Sequence, residues 1–380
     1  MNGDSKNAAQ TRREFLATST GLALATTVAG MPAGAAEAAS PAMNAGSRAD
    51  AVQPRRVIID TDPGVDDAIA IFLALRSPEL KVEAITPVSG NVPLALTLPN
   101  ALRLVEIAGR PDIPVAGGAS LPLVRQLVTA KYAHGQNGLA GVDFPAPKIK
   151  PVAETATELI CRLVRANPGE ITIVAIGPLT NIATVLRSDP EIAGMIPAIV
   201  IMGGSLSRGN VTPAAEFNLY VDPEAARIVF DAGIPLTMVG LDVTEKVLLT
   251  DAHVQKLLAA NNPVSQAAGK ITQATIERTR RENFGTSIAM HDPLTVASLI
   301  DPQLLTLTDY CVEIETEGEF TAGMTVGYQR APVRSSAPMA LQETTEAGPE
   351  LPFHVNAKVA TGVDPGRFFD LLIPRLTQAG

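Results

Sequence analysis

Val57-Ile58-Ile59-Asp60-Thr61-Asp62-Pro63-Gly64-Val65-Asp66-Asp67-Ala68-Ile69-Ala70-Ile71-Phe72-Leu73 is the stretch that decides the fold. Its apolar start shows no polar alternation, which predicts a strand over residues 56–60 covered on both faces. Ala68, Ile69, Phe72, Leu73 and Leu75 then recur at helical spacing, which predicts a helix over residues 66–76. Between the two lie four aspartates, Asp60, Asp62, Asp66 and Asp67. Carboxylates this close repel one another unless a cation sits among them or protons neutralise some. Open α/β sheets bind ligands at the carboxyl ends of their strands, which is where this cluster falls.

Working outward, the alternation continues. Apolar runs predict strands over residues 81–88, 113–116, 171–176, 198–202 and 235–239, with helices over 95–108, 153–166, 179–187 and 223–231 between them. A β-α-β-α order of this kind implies an α/β fold, a mostly parallel Rossmann-like sheet flanked by helices. Residues 251–303, towards the C-terminal third, read as mostly helical. An edge strand is expected over 310–315, a polar surface loop over 330–351, and a last strand and helix over 353–359 and 364–376.

The N-terminal residues read as an address. Thr11-Arg12-Arg13-Glu14-Phe15-Leu16 is a twin-arginine pattern, followed by a mildly apolar stretch and then small residues. The expected organisation is a twin-arginine signal peptide at 1–38, a linker at 39–54 and a single α/β domain at 55–380, with a periplasmic or secreted destination. The apolar stretch is too short and too rich in Thr, Ser and Gly for a good membrane span. The formal net charge of −9 argues against nucleic acid and anionic membranes as partners. Cys161 and Cys311 could pair in an oxidising compartment or remain two buried thiols.

Oxygen ligands in a cluster suit Ca²⁺ or Mg²⁺ rather than zinc. Capping of the helix start by Asp66 or Asp67 is the plainer account, but it leaves Asp60 and Asp62 unexplained. Met290-His291-Asp292-Pro293 reads either as a capped helix with proline in its first turn or as a further metal-site acid with His291 beside the substrate. Gly203-Gly204-Ser205 follows a strand, with Asn210 and Glu216-Phe217-Asn218 downstream. Asn and Glu supply the directed donors and acceptors that read sugar hydroxyls, whereas phosphate calls for Arg, Lys or a helix N-terminus.

Taken in order, Asp60 to Ala68, Val88-Ser89-Gly90-Asn91, His134-Gly135, Ile176-Gly177-Pro178-Leu179-Thr180-Asn181, Met202-Gly203-Gly204, Ala215-Glu216-Phe217-Asn218, Asp222-Pro223-Glu224 and His291-Asp292-Pro293 resemble the inosine–uridine-type nucleoside hydrolases. The resemblance covers nearly all of the chain beyond the linker. It implies hydrolysis of the N-glycosidic bond of purine or pyrimidine ribonucleosides, with one Ca²⁺ held by Asp62, Asp67, Asp292 and the main-chain carbonyl of Ile176. It further implies that a Ca²⁺-coordinated water attacks C1′ with Asp62 as general base, and that His291 protonates the departing base. Asn218 is the third catalytic candidate. Asp66, Asn91, His134, Met202, Asn210, Glu216, Phe217 and Asn218 would line the nucleoside pocket, Asp60 would support its neighbours, and the assembly would be a homodimer or homotetramer. Residues 271–283, which by the resemblance would help cover the base, are rich in Arg, Glu and Thr and hold no tyrosine, and the chain has no tryptophan, so base preference is left open. Two other readings are a haloacid-dehalogenase-type phosphatase and a non-catalytic periplasmic nucleoside-binding protein.

Overall fold

The computed structural model describes residues 53–330 and 353–378. The expected signal peptide, nearly all of the linker and, beyond Arg330, the loop expected over 330–351 lie outside the described residues.

Ten strands are present among the described residues: β1 (Arg55–Thr61), β2 (Leu80–Pro87), β3 (Ile171–Ala175), β4 (Ile199–Met202), β5 (Leu236–Val239), β6 (Leu248–Thr250), β7 (Ser287–Ala289), β8 (Leu305–Ile314), β9 (Thr325–Tyr328) and β10 (Ala357–Val363). Twelve α-helices accompany them among the described residues. The first six are α1 (Val65–Leu75), α2 (Leu94–Ile107), α3 (Lys131–His134), α4 (Ala156–Ala166), α5 (Thr180–Ser188) and α6 (Phe217–Val221). The rest are α7 (Pro223–Phe230), α8 (Leu241–Thr244), α9 (Asp251–Ala259), α10 (Pro263–Arg281), α11 (His291–Ile300) and α12 (Pro365–Thr377).

Eight strands form one sheet in the order β2-β1-β3-β4-β5-β10-β8-β9, while β6 and β7 make a separate antiparallel pair. The first five strands and β10 run parallel; β8 and β9 are added antiparallel. Successive side chains of β1 point to opposite faces. Val57 and Ile59 therefore pack with α1, α2, α10, α11 and α12, and Ile58 packs with α4, α5 and α7. This two-sided burial is why β1 and β3 read as unbroken apolar runs. The chain passes from β1 to β2 on one side and then crosses to β3 on the other, which puts the topological switch point between β1 and β3.

Three expectations shift. The strand expected over 113–116 is a single bridge, Ile85 to Val115, because Pro114 has no N–H to extend the ladder. The edge strand expected over 310–315 is the end of the longer β8, which lies inside the sheet; the four-residue β9, interrupted by Gly327, forms the edge. The last strand begins at Ala357 rather than 353, since Phe353 and Val355 are exposed. Cys161 and Cys311 are free thiols.

Candidate active site

The carboxyl ends of β1, β2, β3 and β4 converge on a cavity of about 420 Å³. Asp66, Asn91, Ile176, Met202, Glu216, Asn218 and Asp292 line it, together with His134, Asn210, Phe217 and His291. Every residue expected to touch the nucleoside is therefore present around one space. Asp62 and Asp67 lie beneath this lining and are fully buried.

The floor is a knot of short bonds. Asp67 accepts from Thr61 Oγ1 at 2.6 Å, Gly64 N at 2.9 Å and Asn91 Nδ2 at 2.9 Å. Asp62 Oδ2 accepts from Asn91 N at 2.6 Å, while its buried Oδ1 has no hydrogen-bond partner. Asp60 Oδ2 accepts from Thr86 Oγ1 at 2.6 Å and Asn181 Nδ2 at 2.8 Å, and Asn181 Oδ1 in turn accepts from Ala119 N. Asp60 thus braces β1 against β2 and α5.

Carboxylate oxygens of Asp66, Asp67 and Asp292 lie within 4.8 Å of one another. The grouping includes Asp66, which the family resemblance assigns to ribose. Burial raises all these acids. Asp66 and Asp67 rise to about 6, the latter also through the charge of Asp66. Asp62 and Asp292 lie well above the usual carboxylate range, through burial and then neighbouring aspartates. An all-oxygen donor set, mutual repulsion and an orphaned buried Oδ1 on Asp62 together fit a hard divalent cation.

Around this floor the neutral groups are oriented by backbone. Asn218 Nδ2 donates to the carbonyls of Met202 at 3.1 Å and Ile176 at 3.3 Å, leaving the second lone pair of the Ile176 oxygen for another partner. Glu216 caps α6; its carboxylate accepts from the amides of Asn218, Gly204 and Leu219, and burial holds it at about 7. Asn210 Oδ1 accepts from Phe217 N at 2.9 Å.

His134 Nδ1 accepts from Val65 N at 3.0 Å, so the proton of the neutral ring sits on Nε2. The same ring stands 4.0 Å from Asp66 Oδ1. This approach explains Gly64, whose φ of −106° any residue can adopt: a Cβ there would lie 2.3 Å from His134 Nδ1 and 2.7 Å from Asn91 Nδ2. His291 Nδ1 lies 2.7 Å from Thr244 Oγ1. Burial pushes His134 down to about 3 and His291 down to about 4, so both rings are neutral at pH 7.

The rest of the wall includes the stretch 271–283 that the resemblance places over the base, though sequence reasoning named none of its residues singly and did not expect Tyr132 or Phe284. Tyr132 on α3, Thr275, Arg278 and Thr279 on α10, and Glu282 and Phe284 beyond it also line the cavity. Only the polar, tyrosine-free character of residues 271–283 marked that helix as unusual.

A sequence model described as inosine-uridine preferring nucleoside hydrolase matches residues 57–370. The chain belongs to that family. It is an N-glycosyl hydrolase, which sets aside the phosphatase and the binding-protein readings. The pyrimidine-specific ribonucleoside hydrolase RihA of Salmonella agona is 48% identical over 271 residues, spanning 71% of this chain and 87% of the relative. That of Citrobacter koseri is 49% identical over the same span. Among solved structures, a plant nucleoside hydrolase superposes with a TM-score of 0.78 at 36% identity, covering 86% of this chain and 100% of its own. A purine-preferring ribonucleoside hydrolase from Gardnerella vaginalis gives 0.74 at 32% identity, covering 85% and 98%.

Proposed function

We propose that this protein hydrolyses the N-glycosidic bond of pyrimidine ribonucleosides in a Ca²⁺-dependent reaction. The carrying observation is the cavity itself: buried carboxylates at one end, sugar-reading Asn and Glu groups around it, and a volume in the range of small-molecule sites. The pyrimidine preference is supported by the RihA relatives at 48–49% identity.

Asp62, Asp67, Asp292 and the Ile176 carbonyl would hold the cation, which when bound supplies the positive charge that makes a water easier to deprotonate at neutral pH. Asp62 would also accept the proton of the attacking water as general base. Asp66 and Asn91 grip ribose hydroxyls, with Glu216 and Asn218 around the other edge of the sugar. As the bond to the base stretches, ribose becomes oxocarbenium-like, and surrounding carboxylates favour that charge over the neutral substrate. His291 Nδ1 lies 2.7 Å from Thr244 Oγ1, and in the tautomer with its proton on Nε2 the ring would present Nε2–H to the base. Residues 1–38 would direct export by the twin-arginine route; replacing Arg12-Arg13 with Lys-Lys and finding the enzyme still in the periplasm overturns that part.

A reducing-sugar assay on uridine, cytidine, inosine and adenosine, with Ca²⁺ or with chelator, tests the reading. Release of ribose from the pyrimidine nucleosides that chelator abolishes is expected; no release from any nucleoside with Ca²⁺ present refutes it.

A further inference from the structure

Arg278 projects from α10 into the wall of the cavity and is the only lysine or arginine among its described lining residues. One of its terminal nitrogens donates to the Ala133 carbonyl on α3. Its Nε is buried with no hydrogen-bond partner. Arg280, two residues on, pairs with Asp251, but among the described residues no carboxylate lies within ion-pair distance of Arg278. Glu282, one turn further, also lines the cavity and only biases Arg278 through space.

A guanidinium has five N–H donors and stays charged. Holding one half-buried, without a carboxylate, costs stability unless a ligand repays it. Burial pushes Arg278 down from its ordinary value, which expresses the same cost. Its place in the cavity says what that ligand is. His134 stands 4.0 Å from Asp66 on one side and close enough to Arg278 on the other to feel its charge. Ribose bound at Asp66 and the acidic floor leaves the base to extend past His134 towards Arg278.

We infer that Arg278 is a catalytic residue that receives the departing base, its N–H groups donating to a keto oxygen of a pyrimidine as the bond breaks. This rests on the N-ribohydrolase reading above. The C1′–N1 bond breaks and its electron pair passes to N1 and, by delocalisation, to the ring keto oxygens. Water oxygen bonds to C1′ and gives its proton to Asp62. The guanidinium donates hydrogen bonds without giving up a proton, and the base takes its proton from His291 or from solvent after the bond has broken. A keto-rich pyrimidine, whose negative charge collects on oxygen, suits this partner.

The test compares uridine with 4-nitrophenyl β-D-ribofuranoside, whose leaving group is a stable anion needing little help. Full-length protein with Ca²⁺ is assayed as wild type, R278Q and R278K. Loss of one preorganised donor at a developing anion typically costs about 10²-fold in kcat. R278Q is therefore expected to lower kcat for uridine about 10²-fold and to leave the nitrophenyl riboside within about threefold. R278K should recover part of the uridine loss, because charge without the planar fork is retained. Should R278Q fail to fold, R278K alone is expected to lose more on uridine than on the aryl riboside. Equal losses on both substrates, or no loss on uridine, overturn the inference while leaving the hydrolase reading intact. Wild type inactive on every riboside refutes both.

Discussion

Calcium is expected to stabilise this protein more strongly as pH rises from 5 to 7.5. Oxygens of Asp66, Asp67 and Asp292 lie within 4.8 Å of one another. Two unit charges at that distance repel by about 3.5 kcal/mol at an effective dielectric of about 20. The cation-free fold avoids this by retaining protons. Asp66 and Asp67 hold theirs to about 6, against 3.8 in the unfolded chain. The raised values carry a penalty that is absent below the unfolded value, grows as pH rises towards the folded one, and is constant above it. At neutral pH it amounts to about 3 kcal/mol for each aspartate, with about half already present at pH 5. A bound divalent cation stabilises the ionised carboxylates and removes the penalty. The difference in stability between Ca²⁺-loaded and chelated protein should then widen by about 3 kcal/mol between pH 5 and 7.5, which is roughly 6 °C in Tm for a domain of this size. Asp62 and Asp292, raised further, act in the same direction.

The difference is the quantity to measure, because the two buried histidines oppose the trend in either arm alone. His134 and His291 stay neutral when folded, so they add stability as pH rises through the histidine value of the unfolded chain. Their contribution largely cancels between the arms. Thermal unfolding with saturating Ca²⁺ and with chelator, at half-unit pH steps, gives the curve; calorimetric titration should show Ca²⁺ binding about 10²-fold tighter at pH 7.5 than at pH 5. A Tm difference that is zero throughout, or constant across this range, refutes the reasoning.

Other outcomes follow from single contacts. Asp62→Asn, which keeps an acceptor for the Asn91 amide, is expected to lower kcat by about 10²–10⁴-fold, with Ca²⁺ binding checked by calorimetry. Gly64→Ala places a methyl 2.3 Å from His134 Nδ1, so His134 must leave the Val65 amide; a rise in KM for uridine and a loss of about 1–3 kcal/mol in urea unfolding are expected. Asn181→Ala removes a donor to Asp60 and the acceptor of the Ala119 amide, costing about 1–3 kcal/mol in the same assay with the m-value unchanged.

What the sequence disclosed follows from the range of the physics. The β1–α1 junction is local: Thr61, Asp62 and Gly64 all bond to Asp67 within six residues, so motif and geometry coincide. Two-sided burial wrote β1 and β3 as apolar runs. The Ile176 carbonyl carries no side-chain signal and was reachable only through family resemblance. The resemblance also placed residues 271–283 over the base, but which α10 side chains face the cavity was illegible for a different reason. Arg278 meets Ala133 across 145 residues, and no periodicity encodes which distant loop a helix faces. β9 was missed because four residues with a central glycine show no alternation, and β8 then passed for an edge.

The contact between Arg278 and the Ala133 carbonyl has a consequence for how such a protein can change. The floor is tied to strand ends and to backbone amides, so almost any alteration there disturbs the sheet itself. The outer wall hangs on a short helix and the last turns of α10, fastened to each other by one side chain to a carbonyl. Substitutions there, other than at Arg278 itself, can reshape what the cavity admits while the hydrolytic groups keep their positions. Preference for one base over another is thus free to drift along a lineage, or to be redirected in the laboratory, without rebuilding the centre that breaks the bond.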